Sequence, residues 1–324
     1  MEVKQILELM ADGNFHSGKV LGELLGVSRT AVWKHLQKLN DFGIELESVK
    51  GKGYRLPGGL ELLDGPAMRA ALSPEASSFL ADLDLLQSTD STNVQAMARA
   101  SKSGAHGYLC MAEHQTHGRG RRGRAWVSPF GQSLYFSVVV EFSGGAAALE
   151  GLSLAVGVAL ARAVQKLGAD GVGLKWPNDV LCGGRKLAGI LLEMTGDPSG
   201  ACQVVVGVGL NVSVSEAAAA AIDQPCVGLS ELVPGVSRND LAAEVLNELL
   251  PVLSRFHEQG FSVYREQWSA LNVHAGKLVV LSTASESIEG EVVGVSATGA
   301  LLLSVDGVIR EFNGGEVTLR QVGV

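Results

Sequence analysis

Cysteine is scarce in this chain of 324 residues: Cys110, Cys182, Cys202 and Cys226 stand far apart and form no C-x-x-C pair. That spacing supplies neither a disulfide frame nor a zinc site and suits buried thiols in a reducing compartment. His114 and His117 form an H-x-x-H pair with no third ligand in sight, so no metal site is expected. No apolar run approaches the roughly 20 residues of a membrane-spanning helix. Met-Glu-Val-Lys-Gln at the start lacks a signal-peptide pattern, so the expectation is a cytoplasmic protein without a membrane partner. An excess of basic charge is missing too. Against 34 Asp and Glu stand 26 Lys and Arg, a formal net charge of −8 that as a whole argues against nucleic acid. What remains is ordinary globular composition, 46% hydrophobic and 19% charged, at a length that predicts two or three domains.

Against that acidic background, Gly118-Arg-Gly-Arg-Arg-Gly-Arg124 holds four arginines and no acid, with Trp126 two residues on. Guanidinium forks and backbone N–H groups suit phosphate oxygens, and glycine permits close approach. Such a segment cannot bury itself, so an anionic ligand is the expected partner. Gly118 to Gly123 also spells G-x-G-x-x-G, but Pro129 follows where the dinucleotide fingerprint needs a helix. The Rossmann reading is set aside.

Residues 1–57 read as a compact helical unit closed by a hairpin. Ser17 and Ser28 are placed to cap two helices joined at Gly26-Val27, the helix-turn-helix pattern, with Val20, Leu21, Leu24 and Leu25 facing inward on the first of them. Ile44-Glu-Leu-Glu and Tyr54-Arg-Leu56 flank a Lys50-Gly-Lys-Gly53 turn, which makes the unit a winged helix. Arg29, Lys34 and Lys38 carry no acid among them, and Lys50, Lys52 and Arg55 repeat that bias. Local charge rather than net charge decides contact with DNA. Ser28, Arg29, Thr30, Trp33 and Lys34 are the candidates for the groove, and Lys50 and Lys52 for backbone phosphates.

Pro57-Gly-Gly59 and Gly65-Pro66 bracket a linker. We divide the chain into a winged helix-turn-helix over 1–65, a mixed α/β domain over 66–269, and a small C-terminal β-barrel over 270–324. In the central part, strands are expected at Tyr108–Gln115, Ser133–Phe142, Gly173–Trp176, Lys186–Glu193 and Gln203–Val212, and helices at Ser91–Ser103, Leu149–Leu167 and Arg238–Gln259. Four strands, at Lys277–Ser282, Ile288–Val295, Leu301–Val305 and Val317–Arg320, make the barrel.

Ser91-Thr-Asn93 precedes a helical pattern. A cap explains one of these side chains, whereas three together could hold a small polar group such as a urea or a carboxylate. Lys175-Trp-Pro-Asn-Asp179 sets charges around a rigid turn suited to positioning a reacting group. Lys186 enters an apolar strand, which is costly unless its ammonium meets an anion. Gly207-Val-Gly-Leu-Asn211 leaves room for a ligand against backbone.

Five motifs in one order, Ser91-Thr-Asn93, Gln115-x-x-Gly-Arg-Gly-Arg-Arg-Gly-Arg124-x-Trp126, Lys175-Trp-Pro-Asn-Asp179, Lys186-Leu-Ala-Gly-Ile190 and Gly207-x-Gly-x-Asn211, resemble the biotin protein ligases. Phe15-His-Ser-Gly18 and Gly51-Lys-Gly-Tyr54 resemble the bacterial form that is also the biotin-operon repressor, and the likeness extends to Gly299-Ala-Leu-Leu-Leu303 in an SH3-like C-terminal barrel.

The resemblance implies an α+β multidomain enzyme that activates biotin with ATP and magnesium as biotinyl-5′-adenylate. It then transfers biotin to a lysine of the biotin carboxyl carrier protein of acetyl-CoA carboxylase. No covalent enzyme intermediate is needed, consistent with the absence of a Ser-His-Asp constellation. Ser91, Thr92, Asn93, Gln115, Arg119, Gly120, Arg121, Lys186, Gly189, Gly207 and Gly209 would bind biotin. Arg119, Arg121, Arg122, Arg124, Trp126, Asn178, Lys186 and Asn211 would bind ATP and the adenylate. Lys186, Arg121 and Asp179 would be catalytic, Asp179 toward the incoming lysine. The partners implied are the carrier protein, operator DNA and, once adenylate is bound, a second copy of the chain, with an adenylate-ordered loop near 212–230. Lipoate ligase, which shares the catalytic fold, is the enzyme rival, and a sensor-only transcription factor is the alternative of another class.

Overall fold

The computed structural model describes residues 3–39, 42–197, 199–282, 286–314 and 318–322. The N-terminal unit is α1 (Val3–Met10), α2 (Gly18–Leu25), α3 (Arg29–Leu39) and a hairpin of β1 (Glu47–Val49) and β2 (Gly53–Arg55). Ser17 Oγ accepts from Val20 N and Ser28 Oγ from Ala31 N, so each serine closes an orphan N–H group at a helix start. Gly26, with φ 66°, turns the chain between α2 and α3. Ile6, Leu7, Met10, Leu21, Val32, Leu36 and Leu39 are buried together. Val20 and Leu24 are not: they stand 43% and 61% exposed, because the face of α2 that meets α1 and α3 is narrower than its apolar stripe.

After the linker, α4 (Gly65–Ala70) and α5 (Pro74–Phe79) lead into the central domain. Its elements are β3 (Asp82–Leu86), α6 (Thr92–Ala100), β4 (Tyr108–Ala112), β5 (Ser133–Ser143), α7 (Leu152–Lys166), β6 (Val172–Lys175), β7 (Asp179–Cys182), β8 (Arg185–Gly196), β9 (Ala201–Asn211), α8 (Glu216–Ala221), α9 (Leu229–Leu232), α10 (Arg238–Gln259) and α11 (Arg265–Leu271). Seven strands form one sheet in the order β3-β4-β5-β9-β8-β7-β6, antiparallel except for the β3–β4 pair. Period-two alternation decides the faces. Val204, Val206, Val208 and Leu210 join the main core with α7 and α10. Val205 packs with α6 residues on the opposite face, to which Gly207 and Gly209 also belong.

The C-terminal strands β10 (Leu278–Ser282), β11 (Ser287–Val295), β12 (Leu301–Val305), β13 (Val308–Phe312) and β14 (Thr318–Gln321) pair in the order β13-β12-β11-β10-β14. The fourth expected strand begins at Thr318, and Val317 lies outside the described residues. Three strands escape the sequence pattern: β3 and β13 are short edges, and β7 starts on Asp179, the last residue of the Lys175–Asp179 turn motif.

The parts are joined by specific contacts. Phe130 of the central domain sits in the N-terminal core, 5.5 Å from Phe42 between ring centroids. Arg238, at the start of α10, pairs with Glu113 at 2.7 Å and donates to Ser133 O and to Glu61 O of the linker. Glu113 Oε1 also accepts from Leu63 N at 2.6 Å. At the other end Trp176 Nε1 donates to Gly299 O, tying the β6–β7 turn to the C-terminal sheet. Among the described residues no helix is long and apolar enough to cross a membrane.

Candidate functional site

All the candidate residues of the central domain line one cavity of about 810 Å³ on the α6 face of the sheet. Ser91, Thr92 and Asn93 begin α6 and are 2%, 3% and 4% exposed. Ser91 makes no side-chain cap, so capping does not account for it. Thr92 N donates to Gln115 Oε1 at 2.9 Å, and Gln115 Nε2 donates to Ser128 Oγ at 2.9 Å. The first wall is thus a buried polar network rather than a helix cap.

The arginine segment is more ordered than its composition predicts. Trp126 N donates to Gly118 O and Gly120 N to Arg124 O, a short antiparallel ladder with Arg119 opposite Ala125. At its tip Arg122 and Gly123 have φ of 58° and 71°, the left-handed pair that closes a tight hairpin. Arg121 Nη1 donates to Asn178 Oδ1 at 3.0 Å and Nη2 to Gly314 O at 2.9 Å, so the hairpin reaches the C-terminal domain.

The other wall comes from the β6–β7 turn and β8. Lys175 and Asp179 face each other across the turn, whose Trp176–Pro177 bond is cis. Lys186 Nζ lies 2.8 Å from Asp179 Oδ1, with side chains 14% and 15% exposed. Among the described residues Asp179 Oδ1 makes no aligned hydrogen bond, and its close contact is the ion pair with Lys186. The anion that stabilises Lys186 in this state is therefore internal. Burial pushes the Lys175 ammonium down from its usual range; Asp179 opposes that, and Lys186, Arg320 and Arg124 add to it. The amides of Asn178 and Asn211 donate to backbone oxygens of Ile190 and Lys186, which orients both.

Gly189, Gly207 and Gly209 do form a floor without side chains, but protein atoms cover it. A Cβ at Gly209 would lie 2.4 Å from Trp126 Cε2, one at Gly189 2.9 Å from Trp126 Cζ3, and one at Gly207 2.0 Å from Asn93 Oδ1. Trp126 also lies over Lys186, 5.3 Å from ring centroid to Nζ, and its own Nε1 is buried with no acceptor among the described residues. An orphaned donor beside a cavity is a place for a ligand oxygen.

Sequence reasoning named no individual residue among several that line the cavity, although the loop it expected near 212–230 includes Ala221–Cys226. Ala221–Cys226 closes the cavity beside Lys186, whose N–H donates to Pro225 O; Leu319 and Arg320 enter from the last strand. None carries a motif, and only the fold brings them close. His114 and His117 do not converge: their Nδ1 atoms lie 2.8 Å from Ser88 Oγ and 2.9 Å from Thr116 Oγ1. Among the described residues no three His, Cys, Asp or Glu are grouped to hold a metal ion.

The second surface is on the N-terminal unit. Arg29, Thr30, Trp33, Lys34, Gln37 and Lys38 are all exposed, two adjacent rows at spacing i, i+4, i+8 along α3. Trp33 is 51% exposed, unusual for tryptophan and suited to a groove. Lys50 and Lys52 stand exposed at the wing turn.

A helix-turn-helix head, a seven-stranded sheet with an arginine hairpin beside a mostly covered lysine, and a C-terminal β domain define a three-part protein that pairs a winged helix with an anion-binding cavity. The profile of the biotin/lipoate A/B protein ligase family matches residues 85–211, that of an HTH domain 2–55, and that of the biotin protein ligase C terminal domain 274–320. The bifunctional ligase/repressor BirA of Salmonella typhimurium is 42% identical over 97% of this chain and 96% of its own length. That of Escherichia coli is 40% identical over 98% and 96%. The biotin protein ligase from Aquifex aeolicus, solved in complex with biotin and ATP, matches with a TM-score of 0.64 and 29% identity, over 75% of this chain and all of its own. The chain belongs to the biotin/lipoate A/B protein ligase family, in its bifunctional ligase/repressor branch.

Proposed function

We propose that this chain joins biotin to a lysine of the biotin carboxyl carrier protein of acetyl-CoA carboxylase at the expense of ATP, and represses the biotin operon in response to the intermediate. The observation that carries the reading is convergence: the Arg119–Arg124 hairpin, Lys186 and the Ser91–Asn93 network line one cavity. In the first step a biotin carboxylate oxygen bonds to the α-phosphorus of ATP and the bond to pyrophosphate breaks. In the second the carrier lysine's amine attacks the acyl carbon, AMP leaves with the bonding electrons, and the amine loses a proton.

Neither step needs a nucleophile from the protein. Both need negative charge neutralised and reactants oriented. We assign the Ser91, Thr92, Asn93 and Gln115 wall to the ureido ring, and Arg119 and Arg121 to the carboxylate and phosphate. Trp126 supplies an apolar face, and Lys186 meets the α-phosphate by exchanging its contact with Asp179. Asp179, once released, orients the incoming amine. Magnesium would accompany ATP and neutralise phosphate charge, held mainly by phosphate oxygens and water, since Asp179 and Asp223 are the acidic residues that line the cavity. The adenylate is shielded from hydrolysis as the hairpin excludes water.

Exposed Arg29, Thr30, Trp33, Lys34, Lys50 and Lys52 support operator binding, with Ser28 spending its oxygen on the start of α3. We infer a homodimer formed when adenylate orders the loops near the cavity, which sets two winged helices on a two-fold operator. A dimerisation constant unchanged by biotin and ATP contradicts that. We keep the boundaries 1–65, 66–269 and 270–324 for the three parts. The reaction belongs in the cytoplasm, where ATP and the carrier protein meet. Biotin-dependent exchange of labelled pyrophosphate into ATP tests the enzyme directly. Exchange with lipoate alone favours lipoate ligation, and no exchange with either leaves a sensor.

A further inference from the structure

Glu193 follows Gly189 and Leu191 on β8 at alternate positions, and its carboxylate joins two walls of the cavity. Oε2 accepts from Asn93 Nδ2 at 2.8 Å, and Oε1 lies 3.5 Å from Arg119 Nη1. One residue touches both the α6 wall and the arginine hairpin, and no motif marks it.

The Asn93 contact sets a direction. An ionised carboxylate only accepts, so the Nδ2 end of the amide faces Glu193 and the Oδ1 end faces Ser137. Ser137 has one proton, which it donates to Asn93 Oδ1 at 2.5 Å. Ser137 therefore accepts at its 2.8 Å contact with Thr92, and the one proton of the Thr92 hydroxyl turns to Ser137 in preference to Gln115 Oε1, which lies farther off at 3.3 Å. Thr92 and Asn93 are 3% and 4% exposed, so water offers them no alternative partners. The acceptor oxygen at Glu193 thus sets which donors and acceptors this wall presents.

The Arg119 contact is of another kind. It is long, and the guanidinium is 52% exposed, so it shifts an equilibrium by only about two- to five-fold. Arg119 lines both the main cavity and a smaller one that includes Glu193. An anion entering the main cavity competes with Glu193 for the same guanidinium.

We propose that Glu193 is a positioning residue of the biotin site: it locks the direction of the Asn93–Ser137–Thr92 chain and holds Arg119 in a weak latch that an entering carboxylate displaces. This rests on the biotin ligase reading of the cavity. Calorimetric titration of the full chain with biotin, and with biotinamide as its uncharged analogue, separates the two roles. Glu193→Gln keeps an acceptor for Asn93 but cancels the charge on the latch. Biotin should bind it about two- to five-fold more tightly than wild type, while biotinamide binds unchanged. Glu193→Ala leaves the Asn93 amide unpaired and also cancels the latch, so it should weaken biotinamide about tenfold and biotin only about two- to five-fold. Glu193→Asp, which keeps the charge, should show no gain for biotin. Equal gains for biotin and biotinamide in the Gln variant, or identical behaviour of Gln and Ala, overturn the proposal. Wild-type protein that binds neither ligand overturns the ligase reading and the latch together.

Discussion

Trp126 and Gly209 are in contact across the cavity floor: a Cβ on Gly209 would come within 2.4 Å of Trp126 Cε2. The indole lies where glycines leave space, above Lys186. Gly209→Ala should displace it and cut biotin-dependent pyrophosphate exchange at least about tenfold, as a misplacement of about 1 Å can cost more than that. Trp126→Ala added to Gly209→Ala should recover thermal stability without recovering exchange. Full activity in Gly209→Ala would mean that the indole has no part in the site.

Lys186 and Asp179 form a charge pair with both members mostly covered. Lys186→Met should lower pyrophosphate exchange by about 10²–10³-fold, the scale of losing one preorganised charge in a transition state. It should also lower the melting temperature, since Asp179 keeps a charge without its counterion. Adding Asp179→Asn should restore stability and leave activity low. Recovery of both would show that Lys186 acts only through folding.

Glu113 and Arg238 are each 5% exposed and 2.7 Å apart. Removing one member of such a buried pair costs about 3–5 kcal/mol. Glu113→Ala also takes the acceptor from Leu63 N, so a clear drop in urea midpoint is expected. A shift like that of an exposed surface substitution would refute a structural role for the pair.

His274 is 7% exposed, and its pKa is pushed down to about 4 by burial, with Lys175 and Lys277 adding to the effect. The unfolded chain takes up a proton at this residue below about pH 6.5, which the folded chain refuses until about pH 4. Stability should therefore fall as pH drops through that window. His274→Asn should flatten the fall, seen as urea midpoints at pH 7 and pH 5 that lie closer together than in wild type.

Lys50 and Lys52 stand exposed at the wing turn, and Lys52 lies 5.6 Å from the Phe15 ring centroid. Replacing both with alanine should weaken operator binding and make the slope of log affinity against log salt shallower by up to about two. Pyrophosphate exchange should not change. An unaltered slope would remove the wing from the DNA contact.

Periodicity and caps made much of the architecture readable in advance. The helix expected at Arg238–Gln259 has those bounds, because its apolar period and the Ser237 cap both lie in local sequence. The long central strands were legible for the same reason, since strands buried on one or both faces need continuous apolar residues. Short edges such as β3 and β13 were not, because little packing constrains their composition.

The residue chemistry of the cavity, its arginines, its glycines and its strand lysines Lys175 and Lys186, was set by the order of amino acids alone. Partnership was a matter of tertiary structure. That Asp179 neutralises Lys186, that Trp126 fills the glycine floor, and that Glu193 joins Asn93 to Arg119 depend on pairings between separate strands and loops. Charge and hydrogen bonding act over a few ångströms, and sequence distance does not predict which side chains come that close.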